Sequence, residues 1–388
     1  MAVREPALLR GLRRGISRGY RPSGTWRRPV VYLGADGTAT ARPPAPPVAV
    51  PGAPSFAFVL PTHLRRYDEA GHRSWFRDVL AQFAGPVGTG AQVIVMVGMQ
   101  WMRPEEEAEA IGRLRSLAAE TAGHDAVHFI GLSLPGPGKP ATLNAGIAVA
   151  DEYDLTAVGW VDDDIRLEPG CLAAMIEDFV RGGCRGAVGG TKVPHARKYA
   201  TSRLLHRLKA LTATATNYPH GCCLLVERAV VSGGIPDRYL CDDGYVCFRL
   251  LDPEAADPLR HLRLVPDARC HYEVAGPAGQ TGRRIRRLLL NHVIYLADWS
   301  YPVSRHYFRS ILFSGMWPLT DLDRSVGLRH GAAKSAIKWI YFCWFGRTAA
   351  ELWFRGLFRC PLRQVQWAEY VAPDSPGAAG SPLTEVSA

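Results

Sequence analysis

The chain has no uninterrupted apolar run of about 18 residues, the length a membrane-spanning helix requires, so no spanning helix is expected. Residues 1–30 are charged but have no apolar stretch of the kind a secretory signal carries, and the expectation is a cytoplasmic protein. There is no Cys-x-x-Cys pair among the nine cysteines, and Cys222 and Cys223 are adjacent, which disfavours bridging each other. A zinc site is therefore disfavoured, and the thiols read as reduced, buried small hydrophobes. Internal repeats are absent. Acidic residues are outnumbered, 36 against 46 Lys and Arg, for a net charge of +10. That excess points to anionic partners: a nucleoside diphosphate, an acidic membrane surface or nucleic acid. The basic residues cluster around Arg13, Arg14 and Arg18 and again around Arg283, Arg284, Arg286 and Arg287, with no nucleic-acid motif beside them. Nucleic acid is accordingly not expected as a partner.

What is present is a globular composition, 47% apolar in 388 residues, enough for one large domain with an appendage or for two domains. Residues 56–60, 92–97 and 127–132 read as buried strands, and residues 72–83 and 104–122 as helices between them. Strands alternating with helices argue for an α/β parallel sheet, in which ligands bind at the carboxyl ends of strands. Residues 1–53 read as an extension that is Arg- and Gly-rich, then Pro-rich, with a short strand at residues 30–33. After Arg283 the pattern turns helical, over residues 285–299 and 334–359. The last of these holds an aromatic stripe that includes Trp339, Trp344, Trp353 and Phe358, interspersed with Lys338, Arg347 and Arg355. Such a stripe suits either core packing or an interfacial helix making peripheral contact at the inner face of a membrane. Residues 373–388, rich in Pro, Gly, Ala and Ser, read as a disordered tail.

The most informative feature is Asp162-Asp163-Asp164 at the end of the apolar run Leu155-Thr156-Ala157-Val158-Gly159-Trp160-Val161. Three carboxylates at a strand end repel each other and are costly to desolvate. A hard divalent cation, Mg²⁺ or Mn²⁺, relieves that cost through oxygen ligands. A solvated acidic turn is the other reading of the triplet. Upstream, Gly138-Lys139-Pro140-Ala141-Thr142-Leu143-Asn144-Ala145-Gly146 opens a helix. It is not a phosphate-binding P-loop: Ser133 stands where that motif needs its first Gly, and Pro140 where it needs Ser or Thr.

Taken together, these segments resemble the inverting family 2 glycosyltransferases, in which Lys, a short gap and Ala-Leu-Asn-x-Gly precede a strand ending Asp-x-Asp. The order continues with Gly186-Ala187-Val188-Gly189-Gly190, with the stretch from His220 to Arg228, and with Asp242-Asp243-Gly244-Tyr245-Val246-Cys247-Phe248-Arg249-Leu250. It begins with Phe56-Ala57-Phe58-Val59-Leu60-Pro61-Thr62. The resemblance spans roughly residues 54 to 290. It implies a GT-A fold: an α/β, Rossmann-like mixed sheet flanked by helices, occupying residues 54–280, with a C-terminal helical region at 281–372. It implies transfer of a sugar from a nucleotide-diphosphate sugar, UDP-sugar first, to an acceptor hydroxyl with inversion. By resemblance the donor side comprises Pro61, Thr62, Lys139, Asn144, Asp162, Asp163, Arg283 and Arg284. Asp164 and Asp162 are the implied metal ligands, and Gly221, Asp242 and Gln280 the acceptor side.

Asp243 is the implied general base, taking the acceptor hydroxyl proton, and a helix cap is its alternative role. Two adjacent carboxylates are expected to raise one pKa of the pair. The sequence does not identify the acceptor; a lipid-linked acceptor and a polysaccharide are the classes considered. The chain departs from the family pattern in four places, one of them Asp242, which stands where a Glu is usual. Gly98-Met99-Gln100 stands where an acidic residue usually reads the nucleobase. His63-Leu64-Arg65-Arg66 follows Pro61-Thr62, and Arg284 replaces a Trp. A nucleotidyltransferase is one alternative reading, disfavoured because Pro61-Thr62-His63 occupies the place of its Gly-rich loop. A non-catalytic membrane-surface or interaction protein that kept the fold is the other.

Overall fold

A computed structural model describes residues 4–20, 28–47, 52–83, 92–124, 127–136, 138–194, 219–236, 238–272, 278–314, 328–358 and 360. Of residues 194, 278–284, 328–334 and 337 only the backbone is described. The tail expected at 373–388 lies outside the described residues.

Among the described residues one ten-stranded mixed sheet organises the fold, in the order β2-β1-β5-β4-β3-β6-β9-β8-β10-β7. Its centre is β3 (Ser55–His63), β4 (Gln92–Trp101), β5 (Val127–Pro135) and β6 (Ala157–Val161), all parallel. These strands are near-continuous apolar runs because helices cover both faces, and a sheet buried on both sides has no polar face to alternate with. Beyond β6 the direction alternates. The strand β9 (Cys223–Glu227) runs antiparallel to β6 and to β8 (Ala187–Pro194). Then β10 (Leu262–Tyr272) is parallel to β8, and β7 (Ile165–Leu167) is antiparallel to β10.

On one face lie α2 (Glu69–Ala81), α3 (Glu107–Ala119) and α5 (Cys171–Arg181), burying Phe76, Leu114 and Phe179. On the other lies α4 (Lys139–Glu152), burying Ala141, Leu143 and Ile147. At Gly146 a Cβ would stand 2.3 Å from Val59 Cγ2, so a glycine lets α4 lie close on β3. The short α6 (Arg228–Val231) and then α7 (Asp242–Leu250) complete that side.

The C-terminal region begins with α8 (Ala278–Asp298), followed by α9 (Tyr301–His306), a π-helical turn (Tyr307–Leu312) and α10 (Leu328–Phe358). An aromatic cluster joins it to α7. Phe248 lies 4.3 Å from Tyr307 and 5.1 Å from Tyr295 between ring centroids, and the Tyr295 hydroxyl donates to the Cys241 carbonyl.

Residues 1–53 contribute more than the short strand the sequence suggests. Val31–Leu33 forms β1, pairs antiparallel with β5, and carries β2 (Ala39–Thr40) on its outer edge. Ala7–Gly19 forms a helix, α1, that packs on α8 and α10. Its glycines make the contact: a Cβ on Gly19 would lie 1.9 Å from the Leu352 carbonyl oxygen, and one on Gly356 2.0 Å from the Gly15 oxygen. Arg13 donates to the Leu296 carbonyl at 2.8 Å. The cysteines are free, as expected, but Cys343 and Cys360 are exposed rather than buried, because both lie on or just beyond α10 where it faces solvent.

Candidate active site

Four segments meet at the carboxyl end of β6. They are the Asp162 triplet, the first turn of α4, the turn entering β9, and the first turn of α7. Backbone hydrogen bonds hold the first to the third, with the Asp162 N–H donating to the Cys222 carbonyl at 2.9 Å. Gly138, with φ 134, makes the entry to α4 in a conformation open to glycine, and delivers Lys139 inward.

Lys139 is the hub. Its ammonium lies 2.7 Å from Asp162 Oδ1 and 3.1 Å from Asp242 Oδ2, and donates to the Gly221 carbonyl at 2.5 Å. A Cβ on Gly221 would stand 2.4 Å from Asp242 Oδ2, so only glycine admits this approach. Burial pulls the lysine pKa down, but the Asp162 and Asp242 carboxylates outweigh it and hold the ammonium charged. Asp242 is buried. Its pKa is pushed up to about 6 by that burial and by the charges of Asp243 and Asp162, against the pull of Lys139. Burial prevails at Asp242 because one ammonium cannot neutralise the three carboxylates gathered around it.

Asp243 behaves differently. Its Oδ1 accepts from its neighbour's N–H, Gly244, at 2.8 Å, its Oδ2 accepts from Gly221 N–H at 3.3 Å, and His220 Nδ1 lies 3.9 Å away. Burial works to raise its pKa, but His220, the Gly221 N–H and Lys139 prevail and hold it well below the usual carboxylate range. The raised pKa expected of the pair thus falls on Asp242, while Asp243 is ionised and the more exposed of the two.

Within the triplet the roles divide. Asp163 is turned inward, where its Oδ2 accepts from Thr62 Oγ1 at 2.8 Å and lies 3.6 Å from His72 Nε2. Burial would raise its pKa, but those partners and Arg66 lower it. Asp163 therefore ties the end of β3 to the end of β6. Asp164 points to solvent. Its pKa is pushed up to about 6 by desolvation and by the charges of Asp162 and Asp163. At an exposed side chain the neighbouring charges are the stronger of these causes.

Beside the triplet is a slot of about 30 Å³ lined by Pro61, Thr62, His63, Gln100, Lys139 and Asp162. That is a water-sized volume. His63, His72, His220 and Gln100 were not singled out from the sequence as site residues. Gln100 holds the α4 entry, donating to Gly138 O at 2.6 Å and Thr142 Oγ1 at 2.9 Å and accepting from Gly138 N at 3.2 Å.

Not every expected residue comes to this place. The Asn144 amide bonds both the N–H and the carbonyl of Ile235, at 2.7 and 3.0 Å, and lines a separate cavity of about 400 Å³. Gln280, Arg283 and Arg284 lie in the first turns of α8, where only the backbone is described.

Among the described residues no three His, Cys, Asp or Glu side chains converge as a ready metal cage. The donor set is instead one exposed carboxylate, Asp164, and a second, Asp162, that already holds a lysine. That fits Mg²⁺ or Mn²⁺ of the kind held by one or two carboxylates with substrate phosphates and water supplying the rest.

No protein-family model and no curated protein sequence matches the chain. Among solved structures it is similar to the mannosyltransferase PcManGT from Pyrobaculum calidifontis in complex with GDP-Man and Mn²⁺. That likeness has 18% identity and a TM-score of 0.46, over 80% of this chain and 87% of that one. It is also similar to glucosyl-3-phosphoglycerate synthase from Mycobacterium tuberculosis in complex with Mn²⁺, UDP-glucose and phosphoglyceric acid. There the identity is 13% and the TM-score 0.39, over 63% of this chain and 80% of that one. At these levels the likenesses leave the assignment to the site itself.

Proposed function

We propose that the chain is a metal-dependent glycosyltransferase of the GT-A type, moving a sugar from a nucleoside-diphosphate sugar to an acceptor hydroxyl with inversion. The observation that carries this reading is the facing of two carboxylate groups across one lysine. The β6-end triplet stands on one side, and the pair Asp242 and Asp243 on the other. The motif order noted in the sequence supports it, as does the fact that β3 runs unbroken through Pro61, Thr62 and His63. A nucleotidyltransferase of related fold needs a Gly-rich loop at that place.

In this reading Asp164 and Asp162, with the donor's diphosphate, would hold Mg²⁺ or Mn²⁺, which supplies charge neutralisation to the leaving group. Thr62 and Asp163 brace the strand ends that form the floor of the donor site. Asp243, ionised and accessible, accepts the acceptor's hydroxyl proton as its oxygen bonds to the anomeric carbon and the bond to the diphosphate breaks. Lys139 sets the spacing of Asp162 and Asp242, and its ammonium is occupied by them rather than open to a phosphate. UDP is the donor base tried first on the strength of the sequence resemblance.

The test is a thermal-shift panel of UDP-, GDP- and dTDP-sugars with and without Mn²⁺, followed by metal-dependent release of the nucleoside diphosphate. A metal-dependent rise in Tm with one nucleotide series is expected. No shift with any donor, with or without Mn²⁺, would remove the reading.

A further inference from the structure

His63 closes β3 at the carboxyl edge of the sheet, in register with Gln100 near the end of β4. Both side chains are buried, and both line the slot beside the acidic triplet. Gln100 has nothing left to offer a ligand. Its amide nitrogen donates to the Gly138 carbonyl and to Thr142 Oγ1, and its oxygen accepts from the Gly138 N–H.

His63 is different. Its Nδ1 accepts from the Arg65 N–H at 3.1 Å and so caps the single turn Leu64–Arg66. Burial, then Arg65, pulls its pKa down, with Arg66 helping and Glu106 and Asp163 opposing, so the ring is neutral. In a neutral imidazole whose Nδ1 accepts, the proton is on Nε2. That Nε2 is buried and has no hydrogen-bond partner among the described residues. The side chain is only 7% exposed. A buried donor without an acceptor is costly, and folds rarely keep one without a use. The slot, at about 30 Å³, has room for one oxygen-sized group. Asp162 and Asp163 stand in its wall and disfavour a phosphate oxygen. The Lys139 ammonium that would offset them is already held by Asp162 and Asp242. A neutral acceptor oxygen fits.

We propose that His63 selects the nucleobase of the donor, donating from Nε2 to an exocyclic keto oxygen that enters this slot. The inference rests on the reading of the site as one for a nucleoside-diphosphate sugar, and adds which bases it takes. Uracil, guanine and hypoxanthine carry such an oxygen where cytosine and adenine carry an amino group. An amino group would set N–H against N–H and leave His63 unpaired.

The test is calorimetry of the full chain in Mn²⁺. It compares UDP with CDP and inosine diphosphate with adenosine diphosphate, and uses pyrophosphate as the ligand without a base. Within whichever pair binds, the wild type should hold the keto nucleotide at least about tenfold more tightly than the amino one. His63→Asn keeps a side-chain oxygen to cap the turn but is too short to place a donor where Nε2 stands. It should weaken the keto nucleotide about tenfold and leave the amino one unchanged, erasing the preference. His63→Phe should do the same, and if it does not fold the Asn variant decides. Pyrophosphate should bind all three proteins alike. Equal binding of keto and amino nucleotides by the wild type, or a preference that survives in His63→Asn, would overturn the inference and leave the glycosyltransferase reading in place. So would an equal loss of pyrophosphate binding in His63→Asn, which would put the residue at the diphosphate rather than the base. A wild type that binds neither nucleotide nor pyrophosphate would remove that reading, and the inference with it.

Discussion

Lys139 carries most of the site's electrostatics, and its removal is the most direct residue-level test. Lys139→Met leaves Asp162 and Asp242 without their shared cation, and breaking a buried pair in this way costs about 3–5 kcal/mol. Urea denaturation near neutral pH should show that loss. It should shrink as the pH falls towards about 6, because without the lysine Asp242 takes up its proton above the value of about 6 that it has beside Lys139. Asp164→Ala should abolish metal-dependent donor binding in calorimetry while leaving stability near wild type, since the side chain is exposed. Asp243→Asn should keep donor affinity and lose about 10²–10⁴-fold in turnover. An equal loss in Asp242→Asn with normal turnover in Asp243→Asn would move the base to Asp242. The acidic triplet was legible because three carboxylates ending an apolar run are rare and local. The lysine clamp was not, because it joins Lys139 to a glycine carbonyl 82 residues away, and Gly221 reveals its purpose only when Asp242 stands beside it. The place of Asn144 was not legible for the same reason: its partner, Ile235, is 91 residues distant.

At the scale of elements, the central strands and the helices between them were legible because buried parallel strands are plain apolar runs. The helix α1 was not, because a stretch dense in Arg and Gly reads as an unstructured extension. Two of its glycines are a contact surface, and they can be told apart from the third by substitution. Gly11→Ala meets nothing within 4 Å and should stabilise by about 0.5–1 kcal/mol through helix propensity. Gly19→Ala drives its methyl into the Leu352 carbonyl and should destabilise by about 1–3 kcal/mol. Thermal unfolding and protease resistance of α1 should therefore move in opposite directions in the two variants. The aromatic stripe was legible only as a stripe. Which of its rings face inward depends on where α8 and α1 lie, and no period in the helix's own sequence states that.

For the whole molecule, stability against pH tests the packing of the C-terminal region on the site. His292, against Tyr307, has its pKa pulled down to about 4 by burial, with Asp243 opposing and Lys338 reinforcing. An unfolded chain's imidazole titrates near 6.5. Between about 6.5 and 4 the unfolded state therefore binds a proton that the folded state does not, and this group's contribution is lost as the pH falls. Asp242 and Asp164, raised to about 6, act with the opposite sign over the same range, so wild-type stability alone is ambiguous. The difference is not: His292→Gln should gain about 1–3 kcal/mol relative to wild type on going from about pH 7 to about pH 4.5. Urea titrations of both proteins at the two pH values measure it.

The contact between α1 and the C-terminal helices also has a meaning in time. Arg13 and the carbonyl it binds are 283 residues apart, so α1 waits until α8 and α10 have been made before it finds its seat. Contacts of such separation form late and slowly, and until then Ile16 and Tyr20, buried in the finished protein, stay in water. The sheet and its acidic tip can assemble ahead of that closure. A nascent chain arrested before residue 328 is thus expected to hold a protease-resistant sheet and a protease-sensitive α1, and the docking of α1 on α8 and α10 to be the slow phase of refolding.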